Sequence, residues 1–86
     1  MKIVESVTFG SVRQRLARTL LEFGEQGDAF SLPVTHEELA LRLGTVREVV
    51  SRNLGRFQAD GLIKVQRKEI RLLNRAGLEQ EAVTEF

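Results

Sequence analysis

Four polar residues, Arg47, Glu48, Ser51 and Arg52, lie close together near the middle of this 86-residue chain. On a helix turning about 100° per residue they fall within about 140° of one another, whereas Val46, Val50, Leu54 and Phe57 gather between about 260° and 340°. A guanidinium can grip guanine O6 and N7 together, a carboxylate can accept from cytosine N4, and a hydroxyl can meet several base-edge groups. The set suits recognition better than catalysis. Ser51 has no neighbouring base to activate it, and no glycine-rich phosphate loop occurs. The chain has no Cys, which removes disulfides, thiolate metal sites and thiol nucleophiles, and it has a single His.

The formal net charge of +1 conceals an asymmetry. Residues 1–41 hold four basic side chains against six acidic ones, residues 42–75 hold nine against three, and residues 76–86 hold only Glu79, Glu81 and Glu85. One basic third in a near-neutral chain is the pattern of a polyanion-binding surface. A composition that is 42% hydrophobic and 29% charged suits one small ordered domain. No apolar run is long enough to span a membrane, and no signal-peptide pattern opens the chain. A cytoplasmic protein is the expectation.

The four polar residues must be held by elements that the local pattern predicts. Apolar spacing at Val12, Leu16, Leu20 and Phe23, with Ser11 and Gln14 as a capping box, predicts a first helix that Gly24 and Gly27 end. Phe30, Leu32 and Val34 predict a short strand that Pro33 confines to an edge. Thr35 with Glu38 caps a helix over His36–Leu43, and Gly44 stops it in a left-handed conformation. Thr45 with Glu48 forms a third capping box, opening a helix at about 46–59 that Gly61 ends. Two helices separated by so short a turn must cross steeply, as in a helix-turn-helix. Ala40, Gly44 and Val50 supply its small contact residue, its turn and its packing residue. Leu62–Val65 and Glu69–Leu73 predict a hairpin around Gln66, Arg67 and Lys68. Asn74 caps a last helix containing Leu78 and Val83. The predicted class is mainly α with a small β-hairpin wing, a winged helix-turn-helix on a three-helix core. Residues 1–8 read as a tail or the end of an upstream helix, and 9–86 as the domain. Arg13, Arg15 and Arg18 read as solvated.

Residues 9–75 resemble the C-terminal winged-helix domain of the Crp–Fnr transcription regulators. The resemblance rests on SVRQRLARTLLE at 11–22, VTHEELALRLG at 34–44 and TVREVVSR at 45–52, with Leu54–Phe57 and Asp60–Ile63. It implies sequence-specific binding of double-stranded DNA. Arg47, Glu48 and Arg52 match base-reading positions, Ser51 matches one used in the Fnr branch, and Thr35 matches a phosphate-contacting position. The Arg47–Glu48 pair points to a TGTGA-like half-site. Backbone contacts are expected from Thr35, His36, Thr45, Lys64, Arg67 and Lys68. The resemblance further implies a homodimeric parent whose separate N-terminal domain senses an effector, and RNA polymerase as a partner. This chain alone would then be monomeric and would hold no cofactor. The alternative is a winged helix used for protein contact or dimerisation, which would need apolar anchors on the polar arc. Three features depart from the family pattern. Asn53 stands where an apolar residue is usual, Gly55 lies inside the recognition helix, and no glycine or asparagine occupies the wing tip.

Overall fold

The computed structural model describes residues 11–83; the predicted tail at 1–8 lies outside them. Four helices and three strands follow in the order α1 (Val12–Phe23), β1 (Ala29–Ser31), α2 (His36–Leu43), α3 (Arg47–Ala59), β2 (Ile63–Gln66), β3 (Glu69–Leu72) and α4 (Arg75–Val83). The wing is broader than a hairpin. β3 lies between β2 and β1, antiparallel to both, with Ile63 opposite Leu72 on one side and Phe30 opposite Ile70 on the other. β1 stops two residues before Pro33, although the Leu32 N–H still reaches the Lys68 carbonyl at 2.9 Å. The edge position expected from that proline is the one observed.

The caps of α1 and α2 form as their sequences dictate. Gln14 N–H donates to Ser11 Oγ at 3.1 Å and Ser11 N–H to Gln14 Oε1 at 2.8 Å. Thr35 and Glu38 exchange the same pair at 3.0 and 2.9 Å. Asn74 Oδ1 likewise accepts from the Gly77 N–H at the start of α4. Each bond satisfies an amide that the helix itself leaves unpaired.

The third predicted capping box does not form. Gly44 takes φ +73°, and the Thr45 N–H turns back to the Ala40 carbonyl at 2.9 Å, closing α2. That N–H is therefore unavailable to Glu48. α3 starts one residue later, with Val46 at its N-cap and no side-chain cap bond. Val46, expected on the buried arc, is 60% exposed because it precedes the first helical residue. Val83, at the end of α4, is likewise exposed.

One core joins all the elements. Leu16 and Leu20 of α1, Leu39 of α2, Val50 and Phe57 of α3, Ile63, Ile70 and Leu78 are fully buried. α1 packs most extensively along α4, so the three-helix core carries a fourth helix on its outer side. Space is short at Gly24, the C-cap of α1. A Cβ there would stand 2.7 Å from Leu72 Cδ1.

Of the α1 arginines read as solvated, Arg18 is exposed, whereas Arg13 and Arg15 are half-buried. Arg13 spans three elements, bonding Glu81 at 2.6 Å and Asp60 at 3.1 Å while its guanidinium lies 4.7 Å from the Phe57 ring centre. The Glu81 hydrogen bond, opposed by burial and aided by Asp60, raises its pKa further above the ordinary guanidinium value. Arg18 donates to the Ala82 carbonyl, and Arg15 is half-buried with an Nη1 that reaches the Gly44 turn. The docking of α4 and of the α3 terminus decided the partners of Arg13 and Arg18.

A two-residue turn, Arg67 and Lys68, joins β2 to β3. Arg67 adopts φ +55° where glycine is usual. Arg67→Gly is expected to raise stability by about 0.5–1 kcal/mol in denaturant titration, as relief of left-handed strain outweighs the freer unfolded chain.

Candidate nucleic-acid interface

The Gly44 turn presents the first turns of α3 at the surface. Val50, Leu54 and Phe57 anchor that helix in the core, while Arg47, Glu48, Ser51 and Arg52 are all exposed on its opposite side. The predicted polar arc is therefore intact. Asn53, the apolar-arc exception, is half-buried and satisfies its amide by donating to the Val49 carbonyl at 3.0 Å.

Beside α3 runs an open cleft of about 560 Å³, bounded by the start of α2, the start of α3 and the wing tip. Its lining brings together Thr35, His36, Arg47, Arg67 and Lys68, residues from three separate stretches of the chain. His36 Nδ1 lies 3.1 Å from Ser51 Oγ, so the two helices of the motif are bonded across their polar sides. Two predicted positions fall elsewhere. Thr45 is half-buried in the turn, and Lys64 lies on the outward face of the sheet, directly opposite Arg71. Arg71 went unnoticed in the sequence. Its signal was strand alternation, since Ile70 and Leu72 point inward and Arg71 must then point out with Lys64.

Charge pairing divides the molecule. Among the described residues the ion pairs are Arg13–Asp60, Arg13–Glu81 and Arg75–Asp28, all involving α1, α4 or the loop before β1. Arg47, Arg52, Lys64, Arg67, Lys68 and Arg71 have no acidic partner among those pairs. Like charges directly opposite on neighbouring strands, as at Lys64 and Arg71, repel one another in the free protein. Unpaired cations spread over α3 and the wing form a surface complementary to a polyanion.

Residues 14–81 match the family model of the Crp-like helix-turn-helix domain. The chain belongs to that family. It is 38% identical over 82 residues to the transcriptional regulatory protein btr of Bordetella pertussis, covering 85% of this chain and 34% of the relative. It is 33% identical over 85 residues to the transcriptional regulator SdrP of Thermus thermophilus, covering 92% and 42%. The crystal structure of the Thermus thermophilus catabolite activator protein superposes with a TM-score of 0.72 at 32% identity, covering 92% of this chain and 37% of that one. The chain thus spans between a third and a half of the length of these relatives. Among the described residues, no helix is long and apolar enough to cross a membrane.

Two residues of α3 are suboptimal for the helix itself. Valine at the N-cap offers no acceptor for the first amides, and among the described residues, its own helical turn aside, nothing lies within 4 Å of where a Cβ on Gly55 would stand. Val46→Thr should add about 0.5–1 kcal/mol by restoring a cap. Gly55→Ala should add about 1 kcal/mol by restricting the unfolded chain. Thermal unfolding of each variant checks both values; no change in midpoint would show that the surroundings of α3 already compensate.

Proposed function

We propose that this domain binds double-stranded DNA sequence-specifically, with α3 in the major groove reading a TGTGA-like half-site. The observation that carries the reading is the exposed arc of Arg47, Glu48, Ser51 and Arg52, whose charged members are in none of the ion pairs among the described residues and which the cationic cleft and wing flank. A helix anchored on one side and hydrogen-bonding on the other is what a major groove admits. Arg47 and Arg52 would grip guanines, and Glu48 would accept from a cytosine amino group. Thr35, His36, Arg67 and Lys68 line one cleft, and a phosphate strand running through it would hold the register; Thr45 and Lys64 would add contacts on either side. Apart from Val46, exposed beside Arg47, the arc is polar and lacks the aromatic and large aliphatic anchors that a protein-docking face uses.

The larger protein is proposed as a homodimeric transcription regulator of the cytoplasm, with its effector on a separate sensor domain and RNA polymerase within reach of the bound complex. This chain would then act as a monomer on a single half-site. It would bind weakly, because dimerisation supplies the second set of contacts.

An isotope-edited NMR titration with a TGTGA-containing duplex tests the reading. Shifts should concentrate at residues 47–52 and 64–68 and shrink with scrambled DNA. Scattered shifts that ignore sequence would point instead to a protein-contact module. Arg52→Ala should lose about 1–3 kcal/mol at one base pair and relax preference there. Lys68→Ala should weaken every duplex alike and lower the slope of log K against log salt by about 0.9. Equal loss of specificity in both variants would contradict this division of labour.

A further inference from the structure

We infer that His36 is a positioning residue that sets the polarity of the Ser51 hydroxyl, and thereby which base-edge group Ser51 can meet. The inference rests on the DNA-reading proposed above. Its basis is the 3.1 Å contact between His36 Nδ1 and Ser51 Oγ, made between the first residue of α2 and the second turn of α3. Among the described residues this is the hydrogen bond that holds the Ser51 hydroxyl, which lines a shallow depression with Val46, Arg47 and Glu48.

A serine hydroxyl has one proton to give and two lone pairs to offer, whereas a neutral imidazole has one donor and one acceptor nitrogen. The hydrogen bond can therefore run either way, and its direction decides what Ser51 shows to the groove. His36 lines the cleft with Arg47 of α3 and with Arg67 and Lys68 of the wing, while Glu37 and Glu38 stand beside it on its own helix. A phosphate drawn into that cationic cleft would take the Nε2–H of a neutral His36, leaving Nδ1 as an acceptor. Ser51 then donates its proton to Nδ1 and presents lone pairs outward, which suits the amino hydrogens of adenine N6 or cytosine N4. When His36 is protonated, both ring nitrogens donate. Ser51 must then accept from Nδ1, and its own O–H turns outward, which suits N7, O6 or thymine O4. One base-pair preference thus inverts with the charge of one imidazole, while the arginine contacts keep theirs.

The test is fluorescence anisotropy of the 86-residue chain with a set of duplexes in which each half-site position is permuted. It is run at about pH 8 and about pH 5.5, on either side of the range in which histidine generally changes charge. The unsubstituted chain should favour an amino-bearing base at one position by about three- to tenfold at the higher pH, the scale of a single net hydrogen bond. That preference should vanish or reverse at the lower pH. Ser51→Ala and His36→Phe should each abolish both the preference and its pH dependence, and the double variant should lose no more than either. His36→Gln, whose amide can hold the hydroxyl without titrating, should keep one preference at both pH values. The inference is overturned if His36→Phe weakens all duplexes alike and leaves every preference in place, or if the Ser51-dependent preference does not change with pH. A chain with no preference at any position would overturn the DNA-reading itself, a result visible before any variant is made.

Discussion

The left-handed turn at Gly44 is the constraint on which the remainder of the surface depends. With φ at +73°, the chain reverses within one residue, and the Thr45 N–H closes α2 on the Ala40 carbonyl. An L side chain at that φ is strained, so the position selects glycine on backbone grounds alone. The closure also dictates where α3 begins, and hence which residues of its first two turns stand outward. Had Thr45 served as N-cap, α3 would have begun a residue earlier. The turn converts a helix-closing hydrogen bond into the setting of the exposed polar arc.

Around that turn the protein keeps its charges in two separate economies. On α1 and α4, Arg13, Arg18 and Arg75 are spent on carboxylates, carbonyls and an aromatic face, tying helices and a loop together. Among the described residues the cations of α3 and the wing have no acidic partner, and Lys64 and Arg71 face one another. Exposed ion pairs contribute little to stability, so leaving these groups free costs the fold little and preserves their field for a polyanion. Valine at the α3 N-cap, a glycine within α3 and a left-handed arginine at the wing tip follow the same logic, since all three depart from local preference and all three lie on this surface. Such departures are expected to collect where function rather than folding selects the residue.

Much of this arrangement was legible in advance because its causes are local. Ser11 with Gln14 and Thr35 with Glu38 announce helix starts through hydrogen bonds spanning three residues, and the 3.6-residue period of α3 separated its anchored and exposed sides. Thr45 with Glu48 carries the same signature and misled, because the competing bond comes from the preceding helix. Val46 was misplaced for the same reason. Arg13 looked solvated because its partners, Asp60 and Glu81, lie 47 and 68 residues away in sequence.

By itself, the amino-acid sequence determined the number and order of the helices, the turn at Gly44, the polar arc on α3 and membership in a winged helix-turn-helix class. These follow from capping chemistry, hydrophobic period and backbone sterics, each acting within a few residues. Tertiary structure alone decided that β1 completes the wing and that His36 reaches Ser51. It also decided that Thr35, Arg47 and Lys68 share one cleft. Those are relations between segments distant in the chain, and they come into being only when the common core of Leu16, Leu39, Phe57 and Ile70 brings the segments together.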